Sequence, residues 1–286
     1  MKEITIISGK GGTGKTSFIA AFAALSKGSV IADCDVDASN LHIILDPEDV
    51  KEEPIIGSFK ASIDSKRCDL CGLCREKCRF SAIDEELRIH NELCEGCGVC
   101  EFVCPQEAIS MNECEAGTLI LSNTRFGWLS HVKMKSGEEG SGKLVTAVRK
   151  QARAVAGESG AETILVDGPP GIGCPVIASI TGSDLAIIVC EPTLSGMHDL
   201  KRVNKLASQM KVPVAICINK SDINEEIKRQ IEAYCKDMAI PILGEVPYNL
   251  DFVTSMVSGK SVVEIDSPIK GHMKGIWSGI IDMLHT

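Results

Sequence analysis

A glycine-rich loop between an apolar strand and a helix constrains the fold of this 286-residue chain more than any other feature. Residues 3–8 (EITIIS) are short, apolar and β-branched, which is typical of a buried parallel strand. Residues 15–26 (KTSFIAAFAALS) predict a helix, and residues 9–16 (GKGGTGKT) match G-x-x-x-x-G-K-[ST]. The backbone N–H groups of such a loop, with the positive end of the following helix, surround phosphate oxygens. The segment therefore predicts a site for the phosphates of a nucleotide.

The side chains of this loop have separate predicted tasks. Lys15 would neutralise the β- and γ-phosphates, and the Thr16 hydroxyl would bind Mg²⁺. The alternative is a glycine-rich turn that fits by chance, but the flanking strand and helix are the context that the motif requires. The expected nucleotide-binding residues of the loop are Gly9, Lys10, Gly11, Gly12, Thr13, Gly14, Lys15, Thr16 and Ser17.

Strand and helix patterns alternate along the rest of the chain. This alternation predicts an α/β fold with a doubly wound, mostly parallel sheet. A stretch rich in Gly, Ser and Glu, residues 123–142, is expected to form a loop or a hairpin. The other strand candidates are 29–33, 118–122, 162–167, 184–190 and 212–219, and the other helix candidates are 143–155, 196–210 and 223–236.

Composition excludes several classes of protein. With 44% apolar residues the chain can bury a large core, yet it has no apolar run of the roughly 18 residues that a membrane span needs. A net charge of −9 argues against nucleic acid as a partner. The first residues lack the pattern of a secretory signal, which predicts a cytoplasmic location. Fourteen cysteines in a reducing compartment indicate metal binding rather than disulfides.

The cysteines contain an internal repeat. Gly72 and Gly98, for example, stand 26 positions apart within it. The repeat predicts a small pseudo-symmetric α+β domain at 59–114, inserted into a larger domain formed by 1–58 and 115–286. The repeated cysteines are Cys68, Cys71, Cys74 and Cys78, followed by Cys94, Cys97, Cys100 and Cys104.

Both cysteine runs have the spacing C-x₂-C-x₂-C-x₃-C, which resembles the two-cluster bacterial ferredoxins. In that pattern the fourth cysteine of each run ligates the other [4Fe–4S] cluster. Zinc is the alternative, but it favours separated C-x₂-C pairs. One departure is Arg79, which follows Cys78 where the pattern usually has proline. The expected ligand sets are Cys68, Cys71, Cys74 and Cys104 for one cluster, and Cys94, Cys97, Cys100 and Cys78 for the other.

The form K-G-G-x-G-K-T of the phosphate loop resembles the deviant Walker A motif of the MinD/ParA class of P-loop ATPases. Mrp-type proteins and the nitrogenase iron protein belong to that class. The resemblance covers most of 1–58 and 115–286. It implies a homodimer in which Lys10 reaches the phosphates bound by the partner subunit.

Two acidic segments resemble the switch regions of the same class. Residues 33–37 (DCDVD) correspond to switch I, where a carboxylate, by position Asp35, would orient the attacking water or hold Mg²⁺ through water. Solvated loop aspartates are the alternative. Residues 164–171 (ILVDGPPG) correspond to the Walker B strand and switch II. There Asp167 would hold Mg²⁺ through water and the Gly171 N–H would sense the γ-phosphate, with a helix cap as the alternative role of Asp167. The expected catalytic residues are Lys10, Lys15, Asp35 and Asp167.

Residues 219–222 (NKSD) leave the choice of nucleotide open. They fit N-K-x-D, in which a carboxylate reads guanine. The resemblance to Mrp-type ATPases instead implies ATP, with Asn219 facing adenine and Lys220 beside it.

Cys174 and the C-terminal helix each allow a structural and a functional interpretation. Cys174 lies seven residues after Asp167, the offset of a subunit-bridging cluster ligand in the nitrogenase iron protein, but an ordinary thiol is the favoured interpretation. Cys190 and Cys217 lie in apolar strands and are expected in the core. A C-terminal helix at 268–286 is expected to pack on the sheet rather than to bind a membrane.

Together these features predict an iron–sulfur ATPase. It would couple ATP-driven dimer and switch changes to electron transfer, or to metallocluster assembly, on a partner metalloprotein. The alternatives are a spatial organiser of the MinD/ParA kind with structural clusters, and a GTPase maturation factor.

Overall fold

The structure, a computed structural model, describes residues 1–138 and 140–285. These residues divide into two compact units. The larger unit comprises Met1–Glu52, Leu119–Lys133 and the chain from Gly140 onward. The smaller unit comprises Glu53–Thr118 and the short stretch that begins at Met134.

The described residues form nine strands and ten helices. The strands are β1 (Lys2–Ser8), β2 (Val30–Asp33), β3 (Glu48–Ile63), β4 (Ile109–Thr124), β5 (Gly127–Met134), β6 (Thr163–Pro170), β7 (Leu185–Cys190), β8 (Val214–Asn219) and β9 (Ile242–Val246). The helices are α1 (Lys15–Ser26), α2 (Leu41–Leu45), α3 (Leu73–Lys77), α4 (Val99–Phe102), α5 (Gly142–Ser159), α6 (Cys174–Ile180), α7 (Leu194–Gln209), α8 (Glu225–Asp237), α9 (Asp251–Val257) and α10 (Ile269–His285).

The strands are arranged in the order β3-β4-β5-β2-β6-β1-β7-β8-β9. β1 pairs in parallel with β6 and β7, and β2 pairs in parallel with β5 and β6. The pairs β7–β8 and β8–β9 are parallel as well. The prediction of a mostly parallel α/β sheet is therefore confirmed.

Alternate residues of the central strands face two separate cores. Ile4 and Ile6 pack with α1, α2 and α10, whereas Ile7 packs with α6, α7 and α8. Because neighbouring side chains of a strand point to opposite faces, helices cover the sheet on both sides. This arrangement places the carboxyl ends of β1, β2 and β6 at one edge, where their loops lie together.

The segment 123–142 contains a hairpin, one of its two predicted forms, because β4 and β5 are neighbours in the sheet and only two residues join them. Leaving aside residue 139, which lies outside the described part of the chain, it contains the end of β4, the strand β5 and the start of α5. The predicted strand 118–122 is part of the longer β4. β9 lies beside β8, and the sequence analysis did not predict it. The local sequence pattern of β5 and β9 is weak, and hydrogen bonds to the neighbouring strands of the sheet stabilise both segments as strands.

The C-terminal helix packs on the core, as predicted. Ile269, Met273, Ile276 and Ile280 of α10 are buried, and the Trp277 ring lies 5.5 Å from that of Phe22. Residue 286, the last of the predicted helix, lies outside the described part. No helix among the described residues is long and apolar enough to cross a membrane.

The smaller unit repeats its backbone with the period of its sequence. Leu70 (φ 62°) matches Gly96 (φ 66°), and Gly72 (φ 74°) matches Gly98 (φ 73°). The helices α3 and α4 follow these positions at the same offset. Matching hydrogen bonds run from Asp64 N–H to Ala108 O (2.7 Å) and from His90 N–H to Ala82 O (2.8 Å). The duplication is thus structural as well as sequential.

Candidate functional site

The phosphate loop follows β1 and ends where α1 begins. Gly14 has φ 95°, in the left-handed region, and a Cβ there would lie 2.5 Å from Asn219 Nδ2. Asn219 donates from Nδ2 to the carbonyl of Thr13 at 2.8 Å. A side chain at position 14 would therefore be strained twice, by backbone conformation and by a clash. The end of β8 is the element that supports the loop from outside.

Lys15 and Asp35 lie together beneath the loop. Lys15 is almost fully buried, and its Nζ is 3.6 Å from Asp35 Oδ2. Burial raises the pKa of Asp35, while the positive charge of Lys15 opposes that rise. The carboxylate of Asp35 thus compensates the charge of a buried ammonium group.

Asp33 and Asp167 are neighbours at the ends of β2 and β6, where they are register partners. Asp33 Oδ2 accepts from Ser39 (2.7 Å), and Asp167 Oδ2 accepts from the Thr16 hydroxyl (3.1 Å). Burial is the largest cause that raises the pKa of Asp33, to about 7, and the negative charge of Asp35 adds to it. Burial, followed by the charge of Asp33, raises the pKa of Asp167.

This carboxylate pair fits a divalent cation. The Oδ1 atoms of Asp33 and Asp167 are buried and find no hydrogen-bond partner among the described residues. Mg²⁺ takes hard oxygen ligands and is commonly held by one or two carboxylates together with a hydroxyl, phosphates and water. Thr16 and Asp167 supply such oxygens at the mouth of the loop.

Lys10 is held within its own subunit. Its Nζ forms an ion pair with Glu191 and lies 3.2 Å from Ser195 Oγ. Lys220 binds the same carboxylate at 3.0 Å and the carbonyl of Gly12 at 3.2 Å. Burial tends to raise the pKa of Glu191, but the two lysines outweigh it and lower the pKa. The sequence analysis noted Glu191 only as part of a family-like segment and did not predict this role.

Two other predicted residues are engaged in ways that the sequence did not show. The Gly171 N–H donates to the carbonyl of Ser8 at 2.9 Å, so in this conformation it does not point to a phosphate. The Asp222 carboxylate accepts from the Tyr248 N–H at 2.7 Å, which uses one oxygen of the group that would read guanine. Ser17 donates to the sulfur of Met256.

An open cavity of about 540 Å³ lies over the loop. It brings together the loop, the Asp35 side chain that follows β2, and Pro169 and Pro170 of the predicted switch II, whereas the buried Asp167 is not among its lining residues. Asn219, Lys220 and Gly171 are not among its lining residues. The lining includes Gly11, Gly12, Gly14, Lys15, Thr16, Ser17, Asp35, Pro170 and Met256.

A second cavity lies in the smaller unit. Its walls include one of the two predicted ligand sets, Cys78, Cys94, Cys97 and Cys100. The remaining walls are mainly apolar, so the donors are thiols with little competing water.

The cysteines of each run lie close enough to affect one another. Burial raises the pKa of Cys74, and negative charge on Cys68 or Cys71 would raise it further. Burial likewise raises the pKa of Cys100, with added effects from Cys94 and Cys97. Among the described residues, however, no group of three or more His, Cys, Asp or Glu side chains is arranged to hold a metal ion. The thiol donors suit iron–sulfur chemistry, and their present spacing is not that of a closed metal site.

The remaining predicted cysteines divide clearly. Cys190 and Cys217 are buried in the core, as expected, and burial raises the pKa of both thiols. Cys174 is exposed at the start of α6.

The sequence and the fold were compared with those of known proteins. A family model described as the CobQ/CobB/MinD/ParA nucleotide binding domain matches residues 4–262. An uncharacterized protein of Methanocaldococcus jannaschii is 36% identical over 225 residues, which cover 78% of this chain and 79% of that protein.

Two solved structures show the same fold at low identity. One is the septum site-determining protein MinD of Pyrococcus horikoshii in complex with Mg-ADP, with 18% identity and a TM-score of 0.62, covering 99% of this chain and 97% of that one. The other is Cyanothece McdA(D38A) in complex with ATP, with 16% identity and a TM-score of 0.60, covering 98% of this chain and 96% of that one.

Proposed function

This chain belongs to the CobQ/CobB/MinD/ParA nucleotide-binding domain family, and from that premise we propose that it is a Mg²⁺-dependent ATPase. The observation that carries the proposal is the buried Asp33–Asp167 pair beside Thr16 and Lys15. Two raised carboxyl pKa values, and two buried carboxylate oxygens with no partner among the described residues, fit a divalent cation bound beside them. The two solved structures of similar fold are complexes with Mg-ADP and with ATP, which supports the same ligands for this chain.

The residues divide the work of phosphoryl transfer. Lys15 would leave Asp35 and neutralise the β- and γ-phosphates. Thr16 would bind Mg²⁺ directly and Asp167 would hold it through water, and the ion would supply further charge neutralisation at those phosphates. Asp35, released from its ion pair, is then free to accept a hydrogen bond from the attacking water. Hydrolysis needs such positioning more than covalent catalysis.

Lys10 completes the site of a second subunit in a homodimer. To do so it must leave Glu191, with which it is paired within its own chain. The γ-phosphate of a triphosphate carries more negative charge than the Glu191 carboxylate. A triphosphate bound by the partner subunit therefore favours the transfer of Lys10 from Glu191 to that phosphate. Residues Asn219 and Lys220 border the base and the loop, and Gly171 turns toward the γ-phosphate when its bond to Ser8 breaks.

Adenine is favoured over guanine by the state of Asp222. Guanine recognition of the N-K-x-D type uses both carboxylate oxygens, and one of them already accepts from the Tyr248 N–H, so guanine would have to share that oxygen. Nucleotide competition measured with ATP and GTP tests this choice, and it also tests the alternative of a GTPase maturation factor.

The smaller unit is proposed to be a ferredoxin-like domain with two [4Fe–4S] clusters. Its internal duplication, its eight repeated cysteines and the thiol-lined cavity support this assignment. Cys68, Cys71, Cys74 and Cys104 would hold one cluster, and Cys94, Cys97, Cys100 and Cys78 the other. Iron–sulfur clusters supply one-electron chemistry.

The combined proposal is an ATPase whose nucleotide state controls electron transfer to, or metallocluster assembly on, a partner metalloprotein. Anaerobic purification followed by EPR and redox titration, with and without ATP or ADP, tests it. The proposal expects reversible reduction and a potential or signal that changes with the nucleotide. Clusters that cannot be reduced, or whose potential and EPR signal do not change with the nucleotide, would instead favour the second candidate, a spatial organiser with structural clusters. The similarity of the fold to that of MinD supports this second candidate.

A further inference from the structure

The two halves of the smaller unit share a backbone but present different surfaces. Phe102, the fourth residue of α4, is 92% exposed. Its counterpart at the 26-residue offset is Glu76, the fourth residue of α3. The first half folds with a glutamate at this place, so the fold itself does not require a phenylalanine there. An aromatic side chain left in water is more often a contact for another molecule than a part of the core.

Two more exposed apolar residues line the cysteine-containing cavity of the smaller unit. Phe80 is 45% exposed and Val99 is 42% exposed, and both line the cavity that contains Cys97. Both side chains therefore border the thiols of this cavity, of which Cys97 is itself exposed. Val99 lies one helical turn from Phe102, so the two side chains share one side of α4. The counterparts of Phe80 and Val99 in the other half are Gln106 and Leu73.

The two halves of the smaller unit also differ in their charged residues. Residues 89–124 contain no Lys or Arg. Two positions reverse sign across the offset, since Lys66 corresponds to Glu92 and Arg75 to Glu101. Glu92 and Glu101 are both exposed. The half that contains α4 therefore carries more negative charge in its sequence, while Arg79 places a positive charge next to Phe80, and Arg67 and Lys135 pair with Glu107 and Glu115. The glutamates of this stretch are Glu92, Glu95, Glu101, Glu107, Glu113 and Glu115.

We infer that Phe80, Val99 and Phe102 form a docking face for a soluble one-electron carrier protein whose redox centre is surrounded by positive charge. The inference rests on the proposed function, because it places the carrier beside the cluster expected at Cys94, Cys97, Cys100 and Cys78. The glutamates speed the encounter and orient the carrier, and the apolar residues provide the contact. A face of three such residues is small, which suits a transient complex.

The reaction at this face is a single electron transfer. One electron leaves the reduced centre of one protein and enters the oxidised centre of the other. No covalent bond forms or breaks, and no proton is required by the balance. Phe80 and Val99 are the side chains that a docked carrier would touch closest to the thiols.

The test uses the full chain with its clusters loaded and reduced by dithionite. Stopped-flow mixing with cytochrome c, a basic one-electron acceptor, gives the second-order rate constant at low ionic strength. Phe102→Ala removes the exposed ring without changing the charge, Glu101→Arg installs the residue of the other half, and Glu76→Gln is the matched control there. We expect the rate constant to fall about tenfold in the first two variants and to stay unchanged in the control. Reduction of benzoquinone, a small neutral acceptor, should be equal in all of them.

The outcomes separate this inference from the proposed function. Cluster content is read first from iron, sulfide and EPR. A wild-type chain without reducible clusters would overturn both. Intact clusters with equal cytochrome c rates in every variant, or a loss only in Glu76→Gln, would overturn the docking face and leave the ATPase and its clusters in place.

Discussion

Asp33 and Asp167 occupy paired positions on adjacent parallel strands, and each buries one oxygen that no described residue binds. Burial of the pair favours the protonated acids over the charged carboxylates. Under the proposed function, a cation bound beside the pair would favour the charged form of both groups.

Asp33→Asn should change how stability depends on pH. The unfolded carboxyl ionises near its ordinary pKa of 3.8, whereas the folded one stays protonated up to about 7. Between these values the unfolded state binds fewer protons, so wild-type stability falls relative to the variant as pH rises, by at most about 1.4 kcal/mol per pH unit. Above pH 7 the difference should level off. Urea unfolding from pH 4 to 8 measures it, and the exposed Asp237→Asn should follow the wild type. A constant difference between pH 4 and 7 would contradict the assignment.

Lys15→Ala and Lys10→Ala should both abolish most ATP hydrolysis, for different reasons. Lys15 is buried in the site of its own chain, so its loss removes nucleotide affinity as well as rate. Lys10 is proposed to act on the partner's phosphates, so its loss should lower kcat by about 10²-fold or more with little effect on ATP binding by the monomer. Steady-state phosphate release and calorimetric ATP titration distinguish the two. Lys274→Ala, on the exposed side of α10, is the control, and full activity of both site variants would refute the site.

Glu191→Gln should strengthen ATP binding several-fold. The carboxylate pairs with Lys10 and Lys220, and Lys220 also donates to the carbonyl of Gly12, so the amide would release Lys220 for the phosphates bound by the same chain. Titration with a non-hydrolysable ATP analogue measures the dissociation constant. Weaker binding in this variant would show that Glu191 supports the loop rather than restrains it.

Gly14→Ala and Gly11→Ala form a matched pair within the loop. At position 14 a Cβ meets Asn219 Nδ2 at 2.5 Å and φ is 95°, whereas at position 11 a Cβ meets nothing within 4 Å. Gly14→Ala should cost about 1–3 kcal/mol of unfolding free energy and most of the nucleotide affinity. Gly11→Ala should keep the stability of the wild type. Thermal unfolding and nucleotide titration provide the comparison, and equal losses in both would remove the role of Asn219 as the support.

Cys97→Ser should remove one of the two proposed clusters, whereas Cys114→Ser should remove neither. Cys97 lines the thiol cavity, while Cys114 lies on β4 outside both ligand sets. Iron and acid-labile sulfide counts on anaerobically purified protein should fall by about half in the first variant only. Equal counts in wild type and Cys97→Ser would exclude that cysteine as a ligand.

The sequence determined the features that depend on local chemistry. The loop 9–16 lies between its strand and helix as predicted, because glycines and a lysine at that spacing are specific for a phosphate-binding loop in this position. The 26-residue repeat of cysteines reappears in the backbone, since residues in equivalent local contexts adopt equivalent φ values, as Leu70 and Gly96 do. The buried strands β1, β6, β7 and β8 follow from continuous apolar runs.

Tertiary structure alone decided which distant residues meet. Strand order brings Asp33 beside Asp167, and no local pattern encodes a register between strands that lie more than a hundred residues apart. The same is true of Glu191 between Lys10 and Lys220, of Asn219 against Gly14, and of Asp222 on the Tyr248 N–H. Charge pairing and burial depend on three-dimensional distance, so these partners became visible only when the sheet was assembled.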